Sequence, residues 1–401
     1  MARTAPEQGE VDHLAAYTVA FTDWLACACA GTRERAARAV RASGEDLLAD
    51  VAFAATAGHV LDFDDTFSQG VAHVSAATAP AALLLGAHLG LTLTTTLDAY
   101  ADGFEAMAAV AAESHPALYD AGWHPTAVCG PVGAAVAAAR LLDLSAAERE
   151  HAIAVALLRA GGTRGAFGSD GKAIQVGLAA AAGVQAALLA RAGATVDPRA
   201  IHGPLGFEGV LGARWPHADL GLDVGLKRAI DRNWIKLYPS CLGTHSPIEL
   251  AAQARDRDAW LAHDELEVRV HPVALQAAHV ELASDGLAAK FSIPYCVAHT
   301  LIHGPPRVGD FVAVDAATAR VSRRVNVTVD RSLPEFGAAL TVAGEELGRV
   351  PCPRGAPARP PAASELAAKV EDLAGDRLRG ALADLAGPAA VALEAAGLRC
   401  R

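Results

Sequence analysis

The residues with the clearest capacity for chemistry lie in one short segment, residues 60–73, which reads VLDFDDTFSQGVAH. This acidic segment contains carboxylates, a hydroxyl group and an imidazole, and His59 stands directly before it. Carboxylates that are crowded together repel one another and resist burial, so water, a metal ion, a basic partner or a substrate must offset the cost. The residues concerned are Asp62, Asp64, Asp65, Thr66 and His73.

Four further segments carry groups that could join such a site: residues 122–125, 168–172, 236–245 and 290–295. Together they supply imidazole, ammonium and phenol groups. Cationic groups can hold the carboxylates of a small acid while a base and an acid move protons on the neighbouring carbon. Taken singly, each group also has a structural interpretation, since a lone histidine near an apolar helix is more often a structural residue.

The composition restricts the classes of partner. The formal net charge of −11 argues against nucleic acid, because a phosphate backbone needs a basic face. Hydrophobic residues make up 52% of the chain and aromatic residues only 5%, which suits closely packed helices with small residues at their contacts. Only five of the 34 basic residues are lysines, so a lysine indicates a need for a compact ammonium group.

Other features predict a cytoplasmic protein without a cofactor or a membrane span. The N-terminus is polar and acidic and lacks the apolar region of a signal peptide. The best candidate for a span, residues 74–97, contains Pro80 and His88 and is better explained as a pair of buried helices. The seven cysteines form no C-x-x-C pair, which indicates reduced thiols rather than disulfides or a metal centre.

The elements that must position these residues are mostly helices. Ala/Leu-rich helical patterns dominate as far as residue 200, and Ser145 with Glu148 predicts a capping box. Near Trp234 the pattern changes to strands at 266–271, 321–329 and 338–342, and two helices follow a Pro-rich linker. The predicted fold is mainly α with an inserted α+β domain: a helical domain of residues 1–235 and 360–401, and an α+β lid of residues 236–359.

The ordered set of motifs DFDDT, GWHPTAVCGPVGAA, a Gly-rich loop ending in Lys172, IKLYPSCLGTH and KFSIPYCVA resembles the MmgE/PrpD family. That family includes 2-methylcitrate dehydratase, cis-aconitate decarboxylase and iminodisuccinate epimerase. The resemblance covers nearly the whole chain and implies a helical domain with an α+β lid, a metal-free site between them and a homodimer. The site residues that it implies are Asp62, Thr66, His73, His124, Lys172, Lys236 and Tyr295.

The chain departs from the family pattern at the expected substrate pocket. His73 lies one residue further from Thr66 than usual, and the loop before Lys172 reads GSDGK. Gln175 stands where many members have a histidine, and Cys241 stands where some decarboxylases have another. These differences leave the substrate and the reaction open.

The resulting hypothesis is a metal-independent lyase, a dehydratase or decarboxylase, that acts on a small di- or tricarboxylate such as 2-methylcitrate or cis-aconitate. The alternative is an isomerase or epimerase of a dicarboxylate on the same scaffold. In this hypothesis cations hold the carboxylates, a histidine moves the proton, and Asp62 orients that histidine or acts as the partner acid. The expected catalytic residues are Asp62, His73, His124, Lys172 and Tyr295, and the expected substrate-binding residues are Thr66, Arg164, Lys236, Cys241 and Gln175.

Rival interpretations start from the same acidic segment. VLDFDDTF also matches the nucleophile strand of haloacid-dehalogenase-like phosphatases, with Asp62 as nucleophile, Asp64 as acid/base and Mg²⁺ between them. That fold needs strands that alternate with helices, and residues 76–200 offer almost none. A D-x-D-D terpene cyclase would need more aromatic residues, and a non-catalytic helical scaffold is the remaining class.

Overall fold

The structure is a computed structural model, which describes residues 13–216, 228–256, 260 and 265–398. The N-terminus on which the absence of a signal peptide is predicted lies largely outside the described residues, as do Lys227 and Cys400.

The N-terminal part of the described chain is a packed set of helices. Their bounds are α1 (Ala15–Gly31), α2 (Arg35–Arg41), α3 (Leu47–Val60), α4 (Val74–His88), α5 (Leu93–Ser114), α6 (Ala117–Asp120), α7 (Pro125–Leu141), α8 (Ala146–Leu157), α9 (Asp170–Arg191) and α10 (Phe207–Leu211). Two short strands, β1 (Thr66–Phe67) and β2 (Asn233–Trp234), form an antiparallel pair that ties the acidic segment to the end of this part.

Small residues let the central helices approach closely. A Cβ atom on Gly133 of α7 would lie 2.6 Å from the Cβ of Met107 on α5, so only glycine fits there. A Cβ atom on Gly183 of α9 would lie 2.5 Å from the carbonyl oxygen of Pro131 on α7. The low aromatic content therefore serves backbone-to-backbone helix packing.

Helix α9 is long and apolar enough to cross a membrane by length and composition, and it is the one helix of that kind among the described residues. About 61% of its most apolar window is buried within the protein, where it packs against α3 and α7. Buried core helices pass the same test, so the finding does not by itself indicate a span.

The next part of the chain is a four-stranded sheet with helices. Its elements are α11 (His245–Asp256), β3 (Leu266–Val270), α12 (Pro272–Ala277), α13 (Gly286–Ala289), α14 (Ile293–His303), α15 (Ala316–Ser322), β4 (Val325–Val329), β5 (Ala338–Val342) and β6 (Glu345–Val350). The strand order is β4-β3-β5-β6, with β3 and β4 parallel and the other neighbours antiparallel. Helices α11 and α14 pack against each other and contact this sheet.

Three helices follow the sheet: α16 (Ala363–Ala374), α17 (Arg377–Ala383) and α18 (Ala389–Ala395). Helix α16 packs on α1, and α18 packs on α4 and α5. The chain therefore returns to the N-terminal helices after it has built the sheet.

The predicted fold class, mainly helical with an α+β part, is confirmed. The capping box at Ser145 is present: the Ser145 hydroxyl accepts the N–H of Glu148, and the Glu148 carboxylate accepts the N–H of Ser145. Helix α5 begins after Thr92, whose hydroxyl accepts a hydrogen bond from the N–H of Thr95. Strand β6 was not predicted, because its sequence EELGRV has the polar, Gly-containing character of an exposed edge.

Candidate active site

Asp62 lies at the centre of the candidate site. Helix α3 ends at Val60, and Asp62 follows in a left-handed backbone conformation, with φ 51°. The Nζ atoms of Lys172 and Lys236 lie 3.0 and 2.8 Å from its Oδ1 atom. Burial raises the pKa of this carboxyl, but the two ammonium groups outweigh burial and hold the pKa well below its usual value. Asp62 is therefore a buried carboxylate that stays ionised.

Asp64, two residues later, orients two histidines. The Nδ1 atoms of His59 and His73 lie 2.9 and 3.1 Å from Asp64 Oδ2. Burial opposes ionisation of Asp64, yet the contacts with the two histidines keep its pKa well below the usual value. Because an ionised carboxylate only accepts hydrogen bonds, both Nδ1 atoms carry the hydrogen. The Nε2 atom of His73 is then the free base, and it lies 3.7 Å from Asp62 Oδ1.

His73 is neutral at neutral pH. Its burial and the nearby Lys172 ammonium lower the pKa of the imidazole to about 4, against the opposing effect of Asp64. A neutral imidazole with its Nδ1–H on a carboxylate presents a lone pair at Nε2, which is the arrangement of a general base.

His124 has the opposite orientation because of Gln175. The backbone N–H of Thr163 donates to Gln175 Oε1 at 3.0 Å, so the amide group of Gln175 faces His124, with 2.6 Å between Nε2 and the ring Nδ1. The amide donates, so His124 Nδ1 accepts and Nε2 carries the hydrogen. Burial and the Lys172 charge keep the pKa of His124 well below its usual value, so it too is neutral.

These groups line a small cavity between the helical part and the α+β part. Its volume is about 40 Å³, which is far smaller than that of a usual ligand site. The helical part contributes polar groups, and the α+β part contributes a mainly apolar wall. The lining residues are Asp62, Thr66, Val71, His73, Tyr119, His124, Phe167, Lys172, Cys241, Leu242, Ala277, Phe291 and Phe336.

The third carboxylate of the acidic segment has a structural position. Asp65 Oδ2 accepts hydrogen bonds from Asn233 Nδ2 at 2.6 Å and from the Ser75 hydroxyl at 2.8 Å. Burial and the neighbouring carboxylates raise the pKa of Asp65 well above its usual value. Asp65 therefore joins β2 to α4 and does not face the cavity.

The structure brings most of the predicted site residues together. Asp62, Thr66, His73, His124, Lys172 and Cys241 line the cavity. Lys172 lies in the first turn of α9, within the helix, rather than in the loop before it, and it is only 6% exposed. Lys236 is fully buried behind Asp62, and Gln175 lies behind His124. Burial raises the pKa of the Cys241 thiol to about 11, so this group is uncharged.

Two predicted residues lie elsewhere. Tyr295 was expected to reach in as a donor, but its hydroxyl accepts a hydrogen bond from the N–H of Asp315 at 3.0 Å, within the packing of the α+β part. Arg164 was expected to hold a carboxylate, but its guanidinium lies 3.9 Å from the centre of the Tyr119 ring and donates to the carbonyls of Tyr119 and Gln276. Both side chains are occupied by local contacts, which corrects the roles expected for them.

Comparison with known proteins agrees with this arrangement. Residues 44–217 match the MmgE/PrpD N-terminal domain, and residues 238–386 match the MmgE/PrpD C-terminal domain. The chain belongs to the MmgE/PrpD family. The C-terminal domain match of this family runs past the sheet to include α16 and α17.

A relative within reach of sequence comparison is the cis-aconitate decarboxylase of Homo sapiens. It is 29% identical over 211 residues, a stretch that covers 49% of this chain and 42% of that protein. The chain thus matches less than half the length of this curated relative.

Sequence reasoning missed the role of Asp64 and His59. Both stood in or beside the acidic segment, but Asp62 was expected to orient the histidine, and the structure gives that contact to Asp64. Asp62 and Asp64 are two residues apart after the end of α3, and this spacing does not reveal which carboxylate contacts His73. The left-handed conformation of Asp62, which separates the two carboxylates, is a backbone property that the sequence does not display.

His59, Asp64 and His73 also place one ligand atom each within 4.8 Å of one another, the one such group found among the described residues. Two imidazole nitrogens and a carboxylate oxygen suit a transition metal such as Zn²⁺. The same atoms satisfy one another as hydrogen-bond donors and acceptor, so the geometry fits a metal-free network as well. Removal of metal ions separates these two descriptions.

Gln175 offers a test of the histidine orientations. The Gln175→Leu variant removes the amide donor, and we expect kcat/KM to fall about tenfold. The Gln175→Glu variant places a carboxylate against His124 Nδ1, which moves the hydrogen there and removes it from Nε2, so we expect a fall of about a hundredfold. Nitrogen-15 NMR of the histidine rings should show Nε2–H for His124 in the wild type.

A matched control is Gln253→Leu, which makes the same substitution at an exposed position of α11. Equal kinetics for the Leu and Glu variants at position 175, or an Nδ1–H form of His124 in the wild type, would contradict the assignment.

Proposed function

We propose that the protein is a metal-independent lyase that acts on a small di- or tricarboxylate, by proton transfer at the carbon next to a carboxylate. The observation that carries the proposal is the pair of neutral histidines on one cavity, with a free Nε2 on His73 and an Nε2–H on His124. One can remove a proton while the other donates one, and the Lys172 ammonium stands beside both. Family membership supports the same class of reaction.

In the proposed reaction a substrate carboxylate lies against Lys172. For dehydration, His73 Nε2 takes the proton from the adjacent carbon, and the electron pair of that C–H bond moves into the carboxylate to give an aci-carboxylate. The ammonium group stabilises this developing charge. His124 then donates its Nε2 proton to the leaving hydroxyl, so that water departs and a double bond forms. This leaves an imidazolate at His124 and an imidazolium at His73, and return of the proton from His73 to His124 restores both neutral rings.

Decarboxylation uses the same groups in another order. The bond between carbon and the departing carboxylate breaks, carbon dioxide leaves, and the electron pair remains on carbon until His124 protonates it. An isomerase or epimerase needs only removal of a proton and its return. The groups that line the cavity can serve each of these reactions, and the acid panel described below distinguishes them.

The charges around the cavity favour a substrate with two carboxylates over one with three. Among the residues that line it, Lys172 is the one that carries a fixed positive charge, while Arg164 is held by backbone carbonyls. Burying an anion without a partner is costly. We therefore place dicarboxylates ahead of 2-methylcitrate and cis-aconitate as candidate substrates.

Substrate entry requires the site to open. The closed cavity of about 40 Å³ is far smaller than the few hundred Å³ that ligand sites usually offer. Its two walls come from the helical and α+β parts, so we propose that residues 236–359 move as a lid. The homodimer and the cytoplasmic location stay predictions that rest on the sequence.

The phosphatase interpretation has little support from this geometry. It needs Mg²⁺ between Asp62 and Asp64. Asp62 instead binds two ammonium groups and Asp64 binds two imidazoles. Residues 76–200, which the structure describes in full, form helices without the alternating strands of that class.

Incubation with a panel of acids tests the proposal. The acids are malate, citramalate, citrate, 2-methylcitrate, cis-aconitate and iminodisuccinate, and each reaction is monitored by proton NMR in D₂O. We expect conversion of at least one of them. Exchange of deuterium into a substrate without net conversion would identify an isomerase.

Turnover should survive exhaustive treatment with EDTA, because the proposed steps use side chains only. Loss of turnover that Zn²⁺ or Mg²⁺ restores would contradict metal independence.

Lys172 gives a test of the proposed carboxylate contact. The Lys172→Ala variant should lower kcat/KM by roughly a hundredfold, which corresponds to about 3 kcal/mol, because it removes a preorganised positive charge. Asp62 keeps Lys236 as a partner, so the variant should still fold. Lys172→Arg should restore activity only in part, since a planar guanidinium does not replace a compact ammonium.

The control for this substitution is Arg191→Ala, which removes an exposed cation from the other end of the same helix. Wild-type kinetics for Lys172→Ala on the true substrate would remove Lys172 from the site.

A further inference from the structure

Three successive backbone carbonyl groups each accept a hydrogen bond from a different lysine. The Nζ atoms of Lys290, Lys236 and Lys369 lie 2.6, 2.7 and 2.7 Å from the carbonyl oxygens of residues 61, 62 and 63. With Lys172 on the side chain of Asp62, all four lysines among the described residues meet at this one segment. Four of the five lysines in the sequence therefore lie at this segment, in the interior of the protein.

Two of these lysines contact neither the cavity nor the carboxylate of Asp62. Lys290 and Lys369 are 5% and 6% exposed, and neither is among the residues that line it. The backbone carbonyl oxygen of Lys290 accepts a hydrogen bond from the backbone N–H of Cys241, with 2.9 Å between nitrogen and oxygen. Lys369 also binds the carbonyl of Lys236 at 2.9 Å and the carboxylate of Asp23 at 2.6 Å. Each of the two thus connects residues 61–63 to another residue of the site or its support.

The carbonyl groups need these partners for a physical reason. They follow the C-terminal end of α3, where carbonyl oxygens lack partners within the helix and carry partial negative charge. Their surroundings exclude water, and an unpaired buried carbonyl costs free energy. Asp62 also holds a left-handed conformation that a residue with a Cβ atom adopts only at some cost. Something must therefore hold the backbone on both sides of Asp62.

We propose that Lys290 and Lys369 are positioning residues for the reaction: by binding the carbonyls of Leu61 and Phe63 they fix the carboxylate of Asp62 against Lys172. Lys369 also fixes the segment that carries Lys236, through its carbonyl. The kinetic part of this inference rests on the proposed function, whereas the positioning itself does not.

The two lysines come from separate parts of the chain. Lys290 follows α13 in the α+β part, and Lys369 lies on α16, which packs on α1. The orientation of Asp62 then depends on both parts being in place. A merely structural role for these lysines would instead change the stability of the whole fold and leave the geometry at Asp62 alone.

The variants must separate these two roles. Lys290→Met removes one ammonium group and nearly keeps the length of the side chain. Lys369→Met leaves Asp23 buried without its cation, which can prevent folding. The double variant Lys369→Met/Asp23→Asn removes both charges and avoids that penalty. Arg320→Met, at an exposed position of α15, is the matched control for loss of a cation.

The first readout needs no substrate. Hydrogen–deuterium exchange should rise about tenfold or more in the peptide that spans residues 59–73 for Lys290→Met and for the double variant, because their local opening becomes easier. Exchange in α5 and α7 should stay as in the wild type and in the control. An unchanged peptide, or a uniform rise throughout the chain, would overturn the proposal.

The second readout is kinetic. With the substrate found in the acid panel, kcat should fall about ten- to a hundredfold while KM changes less than about threefold. Displacement of Asp62 also displaces the Lys172 ammonium, which stabilises the charge that develops in the chemical step. The double variant should melt near the wild-type temperature and still show this loss of kcat. Wild-type kcat in that well-folded variant would overturn the proposal. If the wild type converts none of the acids, the proposed function fails, and the exchange result still decides the positioning.

Discussion

A buried carboxylate that stays ionised is the constraint on which the rest of this structure depends. Asp62 is 2% exposed, and burial alone would favour its neutral form. Two ammonium groups within 3.0 Å of Oδ1 offset that cost, and two more hold the carbonyls on either side. Helix α9, the α+β part and helix α16 each contribute a lysine to this point, so the site is complete only when all three are in place.

The same buried surroundings decide what the histidines can do. Burial lowers the pKa of both imidazoles, and the nearby Lys172 ammonium lowers it further, so His73 and His124 are both neutral. Neutral rings can still differ in which nitrogen carries the hydrogen, and here the neighbours set that choice. Asp64 accepts from His73, while Gln175 donates to His124. Two residues of one type thereby present a base and an acid to one cavity, which resembles how other enzymes divide roles between identical side chains.

Much of the fold and about half of the site could be predicted from the sequence. The change from helical to alternating patterns near Trp234 indicated the α+β part, and the ordered motifs indicated the family. The errors concern the direction of side chains rather than which segments lie close together. Tyr295 belongs to the KFSIPY motif, but it lies in the first turn of α14, where its ring packs in the core of the α+β part. Lys369 belongs to no motif, and only the packing of α16 on α1 brings it to Phe63.

The central claim, that burial beside a positive charge keeps His73 neutral as a base, can be measured without knowledge of the substrate. Nitrogen-15 NMR of the histidine rings across a pH titration reports the protonation state of each ring. The account predicts that His73 keeps a single hydrogen, on Nδ1, as the pH falls through 6.5, the ordinary pKa of the side chain, and becomes doubly protonated only near pH 4. A His73 ring that gains its second proton near pH 6.5, or that carries its single hydrogen on Nε2, would contradict it.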